Sequence, residues 1–450
     1  MSPTDRLAAF IVQTDRTAIP AHVMHEAKRT LINVLAVALA TSEDPSVEAL
    51  DAWGSTGGVA SVIGRGTASE GQAALVNGYL AHLQDYDDTH FPTVLHPSAP
   101  AWPAVLAAAE RTGASGAETL AAFAIGCEVA CRVALSVHPW HYDAGWHITG
   151  TVGGFGAAAG AARLLRLNVA HTTQALGIAG THAAGVREAF GTNGKALHAG
   201  HAASSGLRAA SLVALGFSGP EAILEGRRGF WAVLSPGGHN VAPIEGLGDL
   251  IASGARWELQ NNGLKPYANG VVSHPLQDAV IELRNKHSIV ADDLRAIEAR
   301  VHPLVLELMD RPQPETGLSA KFSHQHCAAA ALIDGAGHEA QFHDDRARDP
   351  RIAAVRALVH ATPDATLGED EVHVTIRMAD GRALVTHVEH ATGSPENPMS
   401  DAHLEAKYRA LATPVLGERD AEALLRAAWT LDEAPDIRAL MARASKHRGA

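Results

Sequence analysis

Apolar positions along the first half of the chain recur at helical spacing, and the pattern predicts helices over 22–41, 68–84, 100–112, 116–136, 150–166, 168–183, 196–214 and 219–226. Start signals support several of them: Ser69 or Glu70 before an apolar series, Ser115 with Glu118 three residues on, and Ser218 ahead of Pro220. The half up to about residue 235 therefore reads as all-helical. Near residue 265 the pattern changes. A helix over 275–286, a strand over 296–302, a helix opening at Ser323 and a short strand near 354–360 follow. Val372–Met378 and Ala383–His390 then alternate around Asp380-Gly381, a hairpin signature. After the loop Gly393-Ser394-Pro395-Glu396-Asn397-Pro398, Ser400 or Asp401 opens a return to helices that runs to about 445.

Composition sharpens this picture. Of the 450 residues, 46% are apolar but only 5% aromatic, and alanine is abundant, which suits helices packed closely through small side chains. A chain of this length exceeds one ordinary core, so two domains or one large elaborated one are expected. The stretch 150–162 is rich in glycine, but the glycines do not follow dinucleotide-loop spacing and no predicted strand precedes them. Close helix packing explains it.

The formal charge of −13, with no lysine or arginine block, excludes nucleic acid and an anionic membrane surface as partners. A small anion remains possible, because a buried site needs only a few local cations. The longest apolar runs, such as Val34–Ala40, fall far short of a membrane span, and the first ten residues lack a secretory pattern. Cys127, Cys131 and Cys327 have no metal-ribbon spacing; Cys127 and Cys131, one helical turn apart, read as core residues. A reduced, cytoplasmic protein is expected.

Candidate chemistry collects in a few segments. Asp85-Tyr86-Asp87-Asp88-Thr89-His90 with His96-Pro97-Ser98 packs three carboxylates and two histidines into a short stretch between helices, either a hard-cation site or a set of caps and turns. Gly145-Trp146-His147 sets a histidine, suited to acid–base work, at the entry of the glycine-rich helix. Lys195 in Thr192-Asn193-Gly194-Lys195-Ala196-Leu197-His198 sits at a helix start, where the dipole disfavours a cation, and local rules broken in this way often mark function. Asn261-Asn262-Gly263-Leu264-Lys265-Pro266-Tyr267, with His274, lies where the composition changes, and Lys321-Phe322-Ser323-His324-Gln325-His326 opens a helix. No serine-hydrolase elbow, zinc-protease pair or iron–sulfur spacing is present.

In order, these segments resemble the landmarks of the MmgE/PrpD family, the 2-methylcitrate dehydratase-like enzymes. The resemblance rests on Asp85-Tyr86-Asp87-Asp88-Thr89, His96-Pro97-Ser98, Gly145-Trp146-His147, Lys195 with His198, Lys265-Pro266-Tyr267, Lys321-Phe322-Ser323 with Gln325, and the 393–398 loop. It implies a mainly α protein: a large helical domain built from 1–264 and 400–450, an inserted α+β lid domain over 265–399, a cleft between them, and usually a homodimer. It implies no cofactor and no metal, and a small di- or tricarboxylate substrate. His147, Lys195, Asp85 and His96 are the catalytic candidates; Thr89, Lys265, Tyr267 and His324 are the substrate-binding ones. A hydro-lyase reaction beginning with proton abstraction beside a carboxylate is expected, with epimerisation or decarboxylation as alternatives. Gly194, Ala196 and His324 depart from the family pattern, and His324 stands where the decarboxylase branch carries tyrosine.

Overall fold

A computed structural model describes residues 1–54, 56–248, 250 and 254–445. The chain divides into two compact units, one comprising 1–83, 87–263 and 400–450, the other 84–86 and 264–399.

The first unit is helical: α1 (Pro3–Gln13), α2 (Ala21–Ala40), α3 (Pro45–Trp53), α4 (Glu70–His82), α5 (Ser98–Thr112), α6 (Gly116–Val137), α7 (Trp140–Asp143), α8 (Ile148–Leu164), α9 (Val169–Thr181) and α10 (Asn193–Ala214). Helices over Asp401–Leu416, Glu418–Trp429 and Arg438–Ala444 return from the chain's end. Lys407 donates to Asn33 Oδ1 at 2.7 Å, joining the returning helix to α2. The expected start signals act as caps: Ser69 accepts from the Gln72 N–H, Ser115 from that of Glu118 and Ser400 from that of His403.

Small residues set the spacing around α8. A Cβ on Gly156 would lie 2.8 Å from the Gly126 carbonyl oxygen, and one on Gly126 would lie 2.7 Å from that of Gly156, so α6 and α8 touch backbone to backbone. Gly78 and Gly200 bring α4 and α10 together in the same way, with a Cβ on Gly78 only 2.8 Å from Gly200 Cα. Close approach of these helices fixes where their ends, and hence the site residues, lie.

Three expectations for this half need correction. Residues 219–226 form no helix. Gly219, Pro220 and Gly226 confine the segment to turns, with the Gly226 N–H on the Ala222 carbonyl, and the next helical stretch is Phe230–Leu234. The half is not all-helical either: β1 (Thr56–Ser61) pairs with β2 (Thr67–Ala68), and β3 (Asp88–His90) carries part of the acidic motif. Finally, α6 is long and apolar enough to cross a membrane, 22 residues with a mean hydropathy of 1.8 over its best window. Yet 89% of that window is buried, and it is a core helix. Glu118, Glu128 and Arg132 break the apolar run in the sequence, which hid its mean hydropathy, and Arg132 Nε lies 2.8 Å from Glu128 one turn away.

β4 (Asn262–Leu264) ends the first unit and begins the second. The second unit is α+β. Its four strands, β5 (Leu294–Val301), β6 (Val359–Pro363), β7 (Val372–Met378) and β8 (Ala383–Val388), lie in the order β6-β5-β7-β8. β5 and β6 run parallel; the other pairs are antiparallel. On β7 the alternation is clean, with Val372, Val374 and Ile376 buried on the side covered by the helix His274–His287. The strand expected near 354–360 is in fact the end of a helix, Pro350–Arg356, followed by β6: Asp349 caps that helix and Pro350 opens it.

Candidate active site

The first unit buries a knot of acid–base groups where α4 ends and β3, α5, α8 and α10 begin. α4 supplies His82 from its last turn. Asp87, Asp88 and Thr89 follow on the way into β3, and His96 precedes α5. Val94, just before it, is β-branched at φ 53, a left-handed conformation costing on the order of 1–3 kcal/mol. His147 is the residue before α8, anchored by its N–H on the Gly185 carbonyl at 3.0 Å. Lys195 lies in the first turn of α10, capped by Thr192.

Hydrogen bonds fix the protons of this group. Asp87 accepts from His82 Nδ1 at 2.8 Å, and His96 Nδ1 lies 3.4 Å from the other Asp87 oxygen. His96 Nδ1 also meets the Asp88 carbonyl at 2.7 Å; a carbonyl only accepts, so Nδ1 carries a proton. Thr89 Oγ1 is 3.4 Å from the same nitrogen. With His82 Nδ1–H given to Asp87, its Nε2 is buried and has no hydrogen-bond partner among the described residues. The His82 ring stacks on His147 at 5.8 Å between centroids and 16° between planes, and tilts against His96 at 4.6 Å. His147 Nδ1 meets His198 Nδ1 at 2.9 Å, so one of the two rings donates to the other. Lys195 Nζ lies 5.4 Å from the centre of the Phe190 ring, whose edge meets His147 at 5.1 Å.

Electrostatics follows from burial and from this crowding. Burial, opposed by Asp87, brings His82 down to about 4. His147 is held well below the usual histidine range by burial first, then by Lys195, His82, His198 and His96. Asp87 stays well below the usual carboxylate range, since the two histidines outweigh its burial. Asp88 rises to about 6, chiefly through burial and then through the charge of Asp87, although Ser98 and Asn262 hydrogen-bond to it. The group thus presents neutral imidazoles at His82 and His147, one fixed carboxylate and a buried lysine. His82, Asp87 and His96 also place ligand-capable atoms within 4.8 Å of one another, the part of this unit that could hold a metal ion.

The second unit places the other candidates. Lys265 Nζ binds Asp85 Oδ1 at 2.8 Å, with the Asp85 and Asn269 carbonyls at 3.1 and 3.2 Å. Asp85 takes a left-handed backbone conformation, φ 53, which aspartate tolerates. Lys321 donates to the Ala268 carbonyl at 2.8 Å and is lowered to about 7, mainly by burial. The Tyr267 hydroxyl is committed to Asp278 at 2.5 Å, and His324 Nδ1 lies 3.2 Å from the Met309 carbonyl. Sequence reasoning passed over His82, Asp87, His198 and Lys321 as site residues. Only His82 lacked a flag, although a histidine five residues before Asp87 was legible as a signal.

A helical unit carrying buried lysine, histidine and aspartate at its helix ends defines an acid–base enzyme scaffold. The chain belongs to the MmgE/PrpD family: residues 5–241 match the MmgE/PrpD N-terminal domain and residues 267–433 the MmgE/PrpD C-terminal domain. It is similar to the cis-aconitate decarboxylase of Homo sapiens, 30% identical over 82% of this chain and 78% of the relative, and to that of Mus musculus, 29% identical over 82% and 77%. The cis-aconitate decarboxylase of Aspergillus terreus is 25% identical over 94% of this chain and 92% of its own length.

Proposed function

We propose that the chain is a lyase acting on a small di- or tricarboxylate by proton abstraction beside a carboxylate, in the manner of a 2-methylcitrate dehydratase. The observation that carries this reading is the neutral imidazole of His147, in contact with His198 and crowded by Lys195. A neutral imidazole is a proton acceptor in waiting. With Nδ1–H donated to His198, the Nε2 lone pair of His147 is the base. An arriving substrate brings negative charge, which offsets the neighbouring cations and raises the His147 pKa toward the working range. The Lys195 ammonium holds a substrate carboxylate, stabilises the enolate-like charge as the Cα–H proton moves to His147, and gives a proton to the departing hydroxyl, which leaves as water. Asp87 keeps His82 and His96 oriented while this happens.

A second reading, decarboxylation, is favoured by the relatives named cis-aconitate decarboxylase. Incubating the purified protein with 2-methylcitrate and with cis-aconitate in deuterated water separates the two. Alkene formation without carbon dioxide supports dehydration; carbon dioxide release with deuterium in the product supports decarboxylation; turnover of neither overturns the proposal. On the active substrate, Lys195→Ala and His147→Ala are each expected to lower kcat by about 10²–10⁴-fold, and wild-type turnover in both would sink the assignment of base and cation.

A further inference from the structure

The outward face of the second unit's sheet carries a group that the proton-transfer reading does not use. β8 is an edge strand and pairs with β7 so that His373 stands directly opposite His387. Their rings lie parallel, 4.1 Å between centroids and 8° between planes. Glu371 precedes β7 and, two residues from His373, projects to the same side. Its Oε1 is 2.9 Å from His387 Nε2 and 4.0 Å from His373 Nε2. One ligand atom from each of the three lies within 4.8 Å of the others. Their side chains are 22%, 36% and 43% exposed for Glu371, His373 and His387, so an ion can reach them from solvent. The nearest cation in the ladder, Arg300 opposite His373 on β5, is ion-paired with Asp364.

The cross-strand register brings the two imidazoles together, and the Glu371–His387 hydrogen bond holds the carboxylate beside them. Protonating both stacked imidazoles would set like charges against each other, whereas a bound cation keeps both rings neutral. A shared cation on the two Nε2 atoms and the carboxylate accounts for all three side chains together. Two imidazoles and one carboxylate suit a borderline divalent transition ion, whereas calcium and magnesium take all-oxygen sets. We propose that Glu371, His373 and His387 form a surface site for Zn²⁺ or a similar transition ion, which clips the edge strand β8 to β7 and leaves a coordination position open to water. The clip protects an edge that is otherwise exposed at Val385.

The test is calorimetric titration of Zn²⁺ into the chelator-treated full chain, read against variants. Wild type is expected to bind one ion at this site. His373→Ala and His387→Ala should each weaken that binding by about tenfold or more, with Glu371→Gln following. Two other groups serve as controls. His390→Ala removes the one imidazole of the neighbouring Asp370, His390 and Glu396 group, and His82→Gln alters the buried one; both should retain the ion. Substituting Cu²⁺ should give an electron paramagnetic resonance spectrum with two coordinated nitrogens, reduced to one in His387→Ala. Circular dichroism checks that each variant folds. The site is overturned if no stoichiometric binding occurs, if His373→Ala and His387→Ala bind as wild type does, or if the ion is lost in His82→Gln instead.

Discussion

Asp85 and Asp87 stand two residues apart in the chain, belong to different units, and treat charge in opposite ways. Asp87, in the helical unit, faces imidazoles: it accepts a hydrogen bond from His82 Nδ1 and lies near His96 Nδ1. Its partners are rings that can carry a proton on either nitrogen. Asp85, in the α+β unit, faces the ammonium of Lys265 within a ring of carbonyl oxygens. That pairing holds charge still. A buried carboxylate beside histidine makes a place where protons can move, and the same carboxylate beside lysine makes a fixed ion pair.

The comparison can be broken most directly by removing each carboxylate. Asp85→Ala leaves the Lys265 ammonium buried without its anion and is expected to cost on the order of 3–5 kcal/mol in urea unfolding. Asp87→Asn keeps a hydrogen-bond acceptor for His82, so its stability loss should be smaller and its loss of turnover larger, with a shifted pH–rate profile. Equal stability losses with full turnover in both variants would erase the contrast.

The pH dependence of stability sharpens it. His82 has its native pKa depressed to about 4 by burial, against about 6.5 unfolded. Between these values the unfolded chain binds more protons, so stability falls as pH drops through this window, by up to about 1.4 kcal/mol per pH unit for each such group. His141 in the same unit and His326 in the other, both near 4 through burial, add to this limb. Lys321 is lowered to about 7, so its contribution rises with pH between about 7 and the ordinary lysine value near 10.4. Unfolding midpoints across pH should show both limbs; His82→Gln should flatten only the lower and Lys321→Met only the upper. A single slope unaffected by either variant would contradict the assignment of these groups.

A smaller effect tests the scaffold alone. Gly126→Ala puts a Cβ 2.7 Å from the Gly156 carbonyl oxygen and is expected to destabilise by about 1–3 kcal/mol as α6 and α8 move apart. Thermal unfolding reads it, and a neutral outcome would mean these helices are not in backbone contact.

Much of this was legible in advance. The helices with a long apolar series, α4 through α6 and α8 through α10, fall close to their expected bounds, and Asp380-Gly381 turns the β7–β8 hairpin as anticipated. What escaped was short or set by context. The Thr56–Ser61 strand is weak in pattern and is made by its partner Thr67–Ala68; residues 219–226 have apolar content but too many breakers for a helix to nucleate. In the candidate site, Lys195, His147 and His96 were singled out because each breaks a local rule or sits in a dense polar segment. His82 lies in the last turn of a well-formed helix and breaks none, so its spacing to Asp87 was the one signal that set it apart.

The sequence by itself determined the family, the helical character of the first half, the change to α+β, and the residue types able to move protons, because these depend on local spacing and on ordered motifs. Which residues meet was decided only by tertiary structure. The pairing of Lys265 with Asp85, 180 residues apart, and of His147 with His198, 51 apart, arises when elements distant in the chain pack together. The same is true of charge: burial makes His82 and His147 neutral, and burial is a property of the assembled core.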